Sequence, residues 1–459
     1  MKKQANQQAQ TMKKHVCRGA VAAFLLCNGA LAAPVEVSLR PAARPASPEV
    51  TSAVMAFLIQ PDAPLTSVRP ALRPAKAPVT LATVAASDPG FDAWVRGFRP
   101  RALSAGITGA VFDRAFRNAH FNPDVIRRDS NQSEFTKSIW DYLDSAASDS
   151  RIANGRLALQ QHSALLNRIE ATYGVDKEVV VAIWGMESAY GSHRGSLNIV
   201  SSLATLAYEG RRGAFFEEQL IAALKILQHG DTAPETMTGS WAGAMGHTQF
   251  IPTSYDALAV DFNGDGRRDI WSDDPTDALA STAAYLARYG WIKGMPWGVE
   301  VQLPAGFDYA SANKKTVKMP SDWARLGVVG MDGAPVRDYG SASVLLPAGS
   351  KGAAFLVFKN FSVIARYNAA DAYVMGVGHL SDRLRGRGPI RADWPRDDRA
   401  LSFDERQEMQ QRLTARGFDT QGVDGRVGPM TVEAVRRFQR SVGMAPDGYA
   451  SLTVLTRLR

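Results

Sequence analysis

Glu187 stands in a stretch where almost nothing else is polar. From Lys177 to Ser188 the chain reads Lys-Glu-Val-Val-Val-Ala-Ile-Trp-Gly-Met-Glu-Ser, apolar on nearly every side of a helix, so this helix is expected to run through the centre of a domain. Glu187 falls in its last turn before Gly191. Removal from water and the negative end of the helix dipole both disfavour an ionised carboxylate there and are expected to raise its pKa. A carboxyl that keeps its proton near neutral pH is a general acid. From this helix alone two readings stand: a catalytic acid, or a buried carboxyl tied into a structural hydrogen-bond network.

Asp261-Phe262-Asn263-Gly264-Asp265-Gly266-Arg267-Arg268-Asp269 offers a second kind of chemistry. Asp261, Asn263, Asp265 and Asp269 fall at positions 1, 3, 5 and 9 of a Ca²⁺ loop, with glycine at 6 and the Arg267 carbonyl at 7. Position 12, where a bidentate Glu is expected, is Ser272. Asp273, Asp274 or Asp277 could reach back in its place. The alternative is an Asx-turn that needs no ion. Either way the loop has no open catalytic position, so an ion there would be structural.

These groups need helices to hold them. Helical spacing dominates from Phe91 to about Gly386, with Leu157, Leu165, Leu166 and Ile169 in one stretch and Phe216, Leu220, Ala223, Leu224 and Leu227 in another. Arg387 to Ala400 is a polar, Pro-broken connector. Beyond it Ser402-Phe403-Asp404-Glu405 is a capping box opening a helix that should stop at Gly417. Gly428-Pro429 opens a second helix with Val432, Val435 and Phe438 on one face, and Leu452, Leu455 and Leu458 mark a third. The sequence is 459 residues long, too much for one core, and its 45% hydrophobic and 21% charged residues are ordinary for a globular chain.

At the N-terminus Lys13, Lys14, His15 and Arg18 precede the apolar run Ala20 to Leu26 and small residues at Ala30 and Ala32, which reads as a secretory signal peptide cut after Ala32. The run is well short of the roughly 20 residues that span a bilayer. Bulky Leu26 before Cys27 argues against lipidation. Cys17 and Cys27 both lie inside the signal, so the mature chain is expected to have neither disulfides nor thiolate metal sites. Lys2, Lys3, Lys13, Lys14 and Arg18 also leave with it, which takes the net charge from +8 to +3. No Lys/Arg run with interleaved aromatics marks a nucleic-acid stripe. Residues 33–88, rich in Pro and Ala, are expected to be a disordered tether.

Three ordered motifs carry a resemblance. Glu187-Ser188-Ala189-Tyr190-Gly191, the segment Gly239-Ser240-Trp241-Ala242-Gly243-Ala244-Met245-Gly246-His247-Thr248-Gln249-Phe250-Ile251-Pro252, and Phe361 to Asn368 with Tyr373 beyond it resemble the family-B lytic transglycosylases, relatives of goose-type lysozyme. The resemblance covers essentially Phe91 to Gly386. It implies a mainly α fold, with a lysozyme-like helical catalytic domain over 89–386, a small β portion and a linker over 387–400. Glu187 would be the sole catalytic acid and base. Ser188, Ser240, Gln249, Tyr367, Asn368 and Tyr373 would be candidates to bind the sugars, and Tyr190 and Met245 would shape the groove. Ser188 and Tyr190 could equally cap and pack the helix end, and Met245 could be core. Some members carry an EF-hand-like Ca²⁺ site, which supports a structural Ca²⁺ on Asp261, Asn263, Asp265, Arg267 and Asp269; no cofactor is implied for catalysis.

Asp424-Gly425-Arg426-Val427-Gly428-Pro429-Met430-Thr431, followed by Ala434-Val435-Arg436-Arg437-Phe438-Gln439, resembles the three-helix peptidoglycan-binding domain appended to many wall enzymes, here over 401–459. The resemblances together imply an exported, periplasmic, monomeric enzyme, with membrane association left open. It would cut the bond between N-acetylmuramic acid and N-acetylglucosamine in peptidoglycan glycan strands without water, and wall-synthesis proteins are further candidate partners. A tethered binding module would raise the local substrate concentration. A hydrolytic muramidase on the same fold and a non-catalytic wall-binding protein are the competing readings.

Overall fold

The computed structural model describes residues 88–130 and 137–459. The expected signal peptide, both cysteines and the Pro/Ala tether up to residue 87 lie outside the described residues. Among the described residues the first element begins at Pro89. Asp88 accepts a hydrogen bond from the Phe91 amide at 2.9 Å and caps α1 (Pro89–Ser104), whose first residue is a proline with no amide to satisfy. α2 (Gly109–Phe116), α3 (Pro123–Ser130), α4 (Ile139–Ala146), α5 (Asp149–Gln161) and α6 (Ser163–Tyr173) follow.

α7 (Lys177–Ser188) is the axis of the domain: every residue from Val179 to Ser188 is buried. At about 1.5–3 kcal/mol for each large apolar side chain removed from water, a helix buried all round is fixed by its packing rather than by intrinsic propensity. α14 (Asp371–Leu384), α5, α11 (Thr276–Arg288) and α6 pack on α7, while α8 (Ile199–Glu209) packs on α9 (Gly213–His229), α9 on α10 (Pro252–Leu258), and α13 (Lys359–Tyr367) on α14. Gly185 is what lets the chain fold back on α7, because a Cβ at that position would sit 2.6 Å from the Tyr190 ring. The expected single stretch from Leu157 to Ile169 is instead two helices broken at His162. Leu166 and Ile169 are core, while Leu157 is 50% exposed on the outer face.

The small β portion has its own core. Strands β3 (Gly298–Gln302), β4 (Val329–Gly330), β5 (Ser343–Leu345) and β6 (Ala354–Val357) form an antiparallel sheet in the order β4-β3-β6-β5, with Val299 opposite Leu356 and Val344 opposite Leu356. Val301, Val344, Leu356 and Phe358 pack there against Trp323, which α12 (Pro320–Arg325) supplies. A second, two-stranded ribbon pairs β1 (Leu197–Asn198) with β2 (Thr238–Gly239).

The C-terminal unit has the expected three helices, α15 (Phe403–Ala415), α16 (Pro429–Ser441) and α17 (Leu452–Leu458), closed over Met409, Leu413, Val435, Phe438, Val454, Leu455 and Leu458. Both halves of the capping box are present: the Ser402 hydroxyl accepts from the Glu405 amide and the Glu405 carboxylate accepts from the Ser402 amide. The polar connector does not hang free. The Glu300 carboxylate of β3 accepts the amides of Arg391 and Ala392, Trp394 lies 6.4 Å from Trp140 ring to ring, and Arg396 pairs with Asp144 at 2.7 Å. The unit itself is clasped to the β portion, where one Asp447 oxygen accepts both the amide and the hydroxyl of Ser350 at 2.8 Å.

Candidate functional site

Hydrogen bonds join the three sequence motifs to one another. The Ser188 hydroxyl donates to the His247 carbonyl at 2.5 Å, and the Trp184 indole donates to His247 Nδ1 at 3.1 Å, so the end of α7 is bound to the glycine-rich segment. The Tyr367 hydroxyl donates to the Thr248 carbonyl at 2.6 Å, which ties that segment to α13. Tyr373, in the first turn of α14, donates to Glu187 Oε1 at 2.7 Å and closes the triangle. Glu187 is 8% exposed at this meeting point.

The glycine-rich segment can be this tight only because of its composition. Gly246 has φ +69°, and a Cβ there would meet the Ile270 carbonyl oxygen at 2.2 Å. His247 is locked beside it. The Trp184 donor fixes Nδ1 as the acceptor, so the proton sits on Nε2 and points at the Ser272 carbonyl 2.8 Å away. Burial pushes this imidazole below its ordinary pKa, the Ser272 carbonyl opposing and the Arg194 guanidinium adding to the shift. His247 is therefore a neutral brace. The signal for it was inside the quoted motif, but a histidine between glycine and threonine does not announce which way its nitrogens face.

The candidate sugar-binding residues divide by what their polar atoms already do. Ser240 is half-buried; its oxygen accepts the amides of Ala242 and Ala244, and its proton has no acceptor among the described residues. Gln249 Nε2 donates to the Arg194 and Gly246 carbonyls at 2.9 Å, while its side-chain oxygen has no donor among the described residues. Asn368 caps the Ala370 amide with its oxygen and keeps its NH₂ free of protein acceptors among the described residues. Ser240 and Asn368 are half-buried and Gln249 is buried, and each keeps a polar group that a ligand could bond.

Three others have their polar or sulfur atoms engaged or buried within the protein. Ser188 is fully buried with its hydroxyl shared among Trp184, His247 and Gly191. Tyr367 is 4% exposed and packs tilted against Phe250 and edge-on against Tyr285. Met245 is fully buried. In the ligand-free chain each has its polar or sulfur atom turned into the protein. Tyr190 is half-buried and gives its hydroxyl to the Arg151 carbonyl at 2.7 Å, so it serves as a wall; burial raises its pKa. Tyr373 acts on the carboxyl itself.

Neither neighbouring acid opposes Glu187. Glu178 lies nine residues earlier on the same helix, roughly 13 Å along the axis, and pairs with Arg385 at 3.2 Å. Glu209 accepts the Arg211 amide at 3.0 Å at the end of α8.

In the acidic loop, Asp261 accepts the amides of Gly264, Asp265 and Gly266, Asn263 that of Asp265, and Asp265 that of Arg267. Asp269 turns to the amides of Trp271 and Ser272. Of the three acids that could replace the missing Glu, Asp273 pairs outward with Arg194 and Asp274 caps Thr276. Asp277 is the one that turns in: it is 1% exposed and accepts the amides of Phe262, Asn263 and Asp269. Burial raises its pKa, with those three amides opposing. The donors are all hard oxygens, which suits Ca²⁺. Among the described residues no three acidic or histidine side chains are grouped closely enough to hold an ion, so Asn263 and the Arg267 carbonyl would be needed in any shell.

Among known proteins, the family model for the transglycosylase SLT domain matches residues 90–382. The chain belongs to the transglycosylase SLT domain family. The model for peptidoglycan binding domains matches residues 403–458. The SLT-domain chain is 35% identical over 240 residues to membrane-bound lytic murein transglycosylase B of Escherichia coli strain K12, a match over 51% of this chain and 63% of that relative's length. Its structure is similar to that of SltB3 from Pseudomonas aeruginosa, solved in complex with NAG-anhNAM-pentapeptide, at TM-score 0.79 and 50% identity, covering 81% of this chain and all of that one. It is also similar to the Escherichia coli lytic transglycosylase SLT35 in complex with calcium, at TM-score 0.55 and 30% identity, covering 65% of this chain and 93% of that one. The mainly α fold with its small sheets agrees with that of these solved structures.

Proposed function

We propose that this chain is a lytic transglycosylase of peptidoglycan in which Glu187 acts first as acid and then as base. The observation that carries the reading is one buried carboxyl at the junction of the three motifs, held by Tyr373, with Glu178 and Glu209 committed elsewhere. The similar SltB3 structures with NAG-anhNAM-pentapeptide and NAG-NAM-pentapeptide support the substrate class. Glu187 gives its proton to the glycosidic oxygen between N-acetylmuramic acid and N-acetylglucosamine. The C1–O bond breaks while the acetamido oxygen of the muramoyl unit stabilises C1. The carboxylate then takes the C6 hydroxyl proton as O6 attacks C1, which closes a 1,6-anhydro ring and returns Glu187 to its acid form. No water is consumed, in contrast to two-carboxylate glycosidases. Ser240, Gln249 and Asn368 bind the sugars; Tyr373 steadies the carboxyl.

The test is product mass. Muropeptides released from purified sacculi are expected to be one water lighter than hydrolysed ones; reducing ends would mean a muramidase, and release of nothing would mean a binding protein.

The domain limits we propose are a signal peptide over 1–32, a tether over 33–88, a catalytic domain over 89–386, a connector over 387–400 and a wall-binding domain over 401–459, supported by the two family matches at 90–382 and 403–458. Export to the periplasm rests on the N-terminal pattern. Among the described residues no helix is long and apolar enough to cross a membrane.

We also propose that the acidic loop holds Ca²⁺ through Asp261, Asn263, Asp265, the Arg267 carbonyl and Asp269, with Asp277 behind them; the calcium complex of SLT35 supports this. The ion would neutralise crowded carboxylates and take no part in the reaction. At a concentration a hundredfold above Kd, calcium is expected to raise the melting temperature over that in chelator by roughly 5 °C. Asp261→Ala should abolish the rise. An equal melting temperature in calcium and in chelator would leave the loop as an ion-free turn.

A further inference from the structure

A cavity of about 540 Å³ opens beside the Ser350–Asp447 clasp, walled by the β portion, the connector and the C-terminal unit together. Its size is that of a small-ligand site. Its chemistry is unusual for a mere seam between domains. Lys351 comes from the β portion, Asp397 and Asp398 from the connector, and Arg457 from α17. None of the four makes an ion pair among the described residues. Tyr449 also lines the cavity, and its hydroxyl has no hydrogen-bond partner among the described residues. Burial pushes this phenol up to about 12, with the negative charges of Asp398 and Asp447 acting in the same direction, so it stays protonated and able to donate.

Two cations and two anions arranged around one space select by charge pattern. A phosphate or nucleic acid would meet Asp397 and Asp398; a metal ion would meet Lys351 and Arg457; a neutral sugar would leave all four without a counter-charge. A short peptide with both free carboxylate and free ammonium groups satisfies both pairs at once, and Tyr449 can donate to one of its carbonyls. We infer that this cavity is a second substrate site, which binds the zwitterionic peptide stem of the wall polymer. The inference rests on the proposed peptidoglycan activity and adds a reader of stems at a distance from the cutting site. Because both the catalytic and the C-terminal part supply walls, the clasp is what assembles it. The stem is held on the same compact unit that cuts the glycan, so strands carrying peptides are retained in preference to bare ones.

The test titrates the full mature chain with free stem peptide, released from sacculi by an amidase, and follows binding by calorimetry. Saturable binding is expected. It should weaken about tenfold or more both in Lys351→Ala/Arg457→Ala and in Asp397→Asn/Asp398→Asn, each loss being of charge-assisted hydrogen bonds. All four positions are surface groups of the cavity, and unchanged melting temperatures would show that the fold survives. Cleavage of peptide-free glycan strands should be the same in both variants as in the wild type. No saturable binding by the wild type, or undiminished peptide binding by both variants, overturns the inference. So does an equal loss of affinity for peptide-free glycan, which would make the cavity a sugar site. Absence of anhydro products from sacculi in the wild type would defeat the activity instead, and the calorimetry reads independently of it.

Discussion

Glu187→Gln is expected to slow release of muropeptides from sacculi by about 10⁴-fold or more while leaving binding to sacculi unchanged. The size follows from one group doing two jobs. General acid and general base assistance each contribute roughly 10²–10⁴, and here both pass through the same carboxyl. Glutamine keeps the shape of the side chain and an oxygen for the Tyr373 hydroxyl, which bonds Oε1 at 2.7 Å, so the site should stay folded around it. What glutamine lacks is a proton it can give and take back. Tyr373→Phe separates holding from reacting. It removes a hydrogen bond that is charge-assisted once Glu187 has given up its proton, and such a bond of about 1.5–3 kcal/mol translates to a loss of roughly 10- to 100-fold in kcat with KM little changed. Glu178→Gln, at the far end of α7 and paired with Arg385, should leave both constants near the wild type. A Glu187→Gln enzyme that dissolves sacculi at the native rate would end the assignment. A Glu178→Gln enzyme as inactive as Glu187→Gln would mean that the long axis of α7, rather than its end, matters to the chemistry.

How far the sequence reaches can be seen at particular residues. α7 was legible because burial on all sides leaves a pattern that only a central helix has, and the lone carboxyl in it then stands out. The capping box at Ser402 and the proline at the start of α16 were legible because they are local: backbone amides at a helix start need acceptors whatever the tertiary fold. Membership in a motif was a poorer guide to contact. Met245 sits in the same string as Ser240, yet it is fully buried while Ser240 is half-buried, because a tight wall is held from behind as much as it is presented in front. No spacing rule separates the two sides of an irregular segment with several glycines. The contacts of the connector were not legible for a related reason. Prolines and charges are the composition of a loose linker, but Glu300, Trp140, Asp144 and Ser350 are scattered over hundreds of residues, and only the fold brings them to the strap and the unit it carries. Trp394 was the one visible hint, since a tryptophan gains little in a segment that touches nothing.

The stability of the catalytic domain is expected to fall by about 3 kcal/mol between pH 6.5 and pH 4 on account of one histidine. His379 is 9% exposed on α14, six residues beyond the tyrosine that bonds Glu187. Burial pushes its imidazole down to about 4, and the positive charge of Arg383, one turn later, pushes it the same way. The sign is fixed by linkage. Above pH 6.5 the ring is neutral whether the chain is folded or not, so it contributes no pH dependence. As pH falls from 6.5 to about 4 the unfolded chain binds a proton that the native state refuses, so the unfolded state gains about 1.4 kcal/mol for each pH unit. Below about 4 both states are protonated and the loss is complete. Urea midpoints measured across this range should therefore show a steeper acid limb for the wild type than for His379→Gln, with the two curves parallel above pH 7. Glutamine removes the proton site while keeping a polar group of similar length, so any fixed packing cost appears as a constant offset and leaves the pH-dependent part exposed. Parallel curves all the way to pH 4 would mean that the ring takes its proton in the folded state, and that α14 opens enough at that point to hydrate it. Because Tyr373 rides on the same helix, an opening of that kind would also loosen the hold on Glu187, and activity would then fall in step with the midpoints.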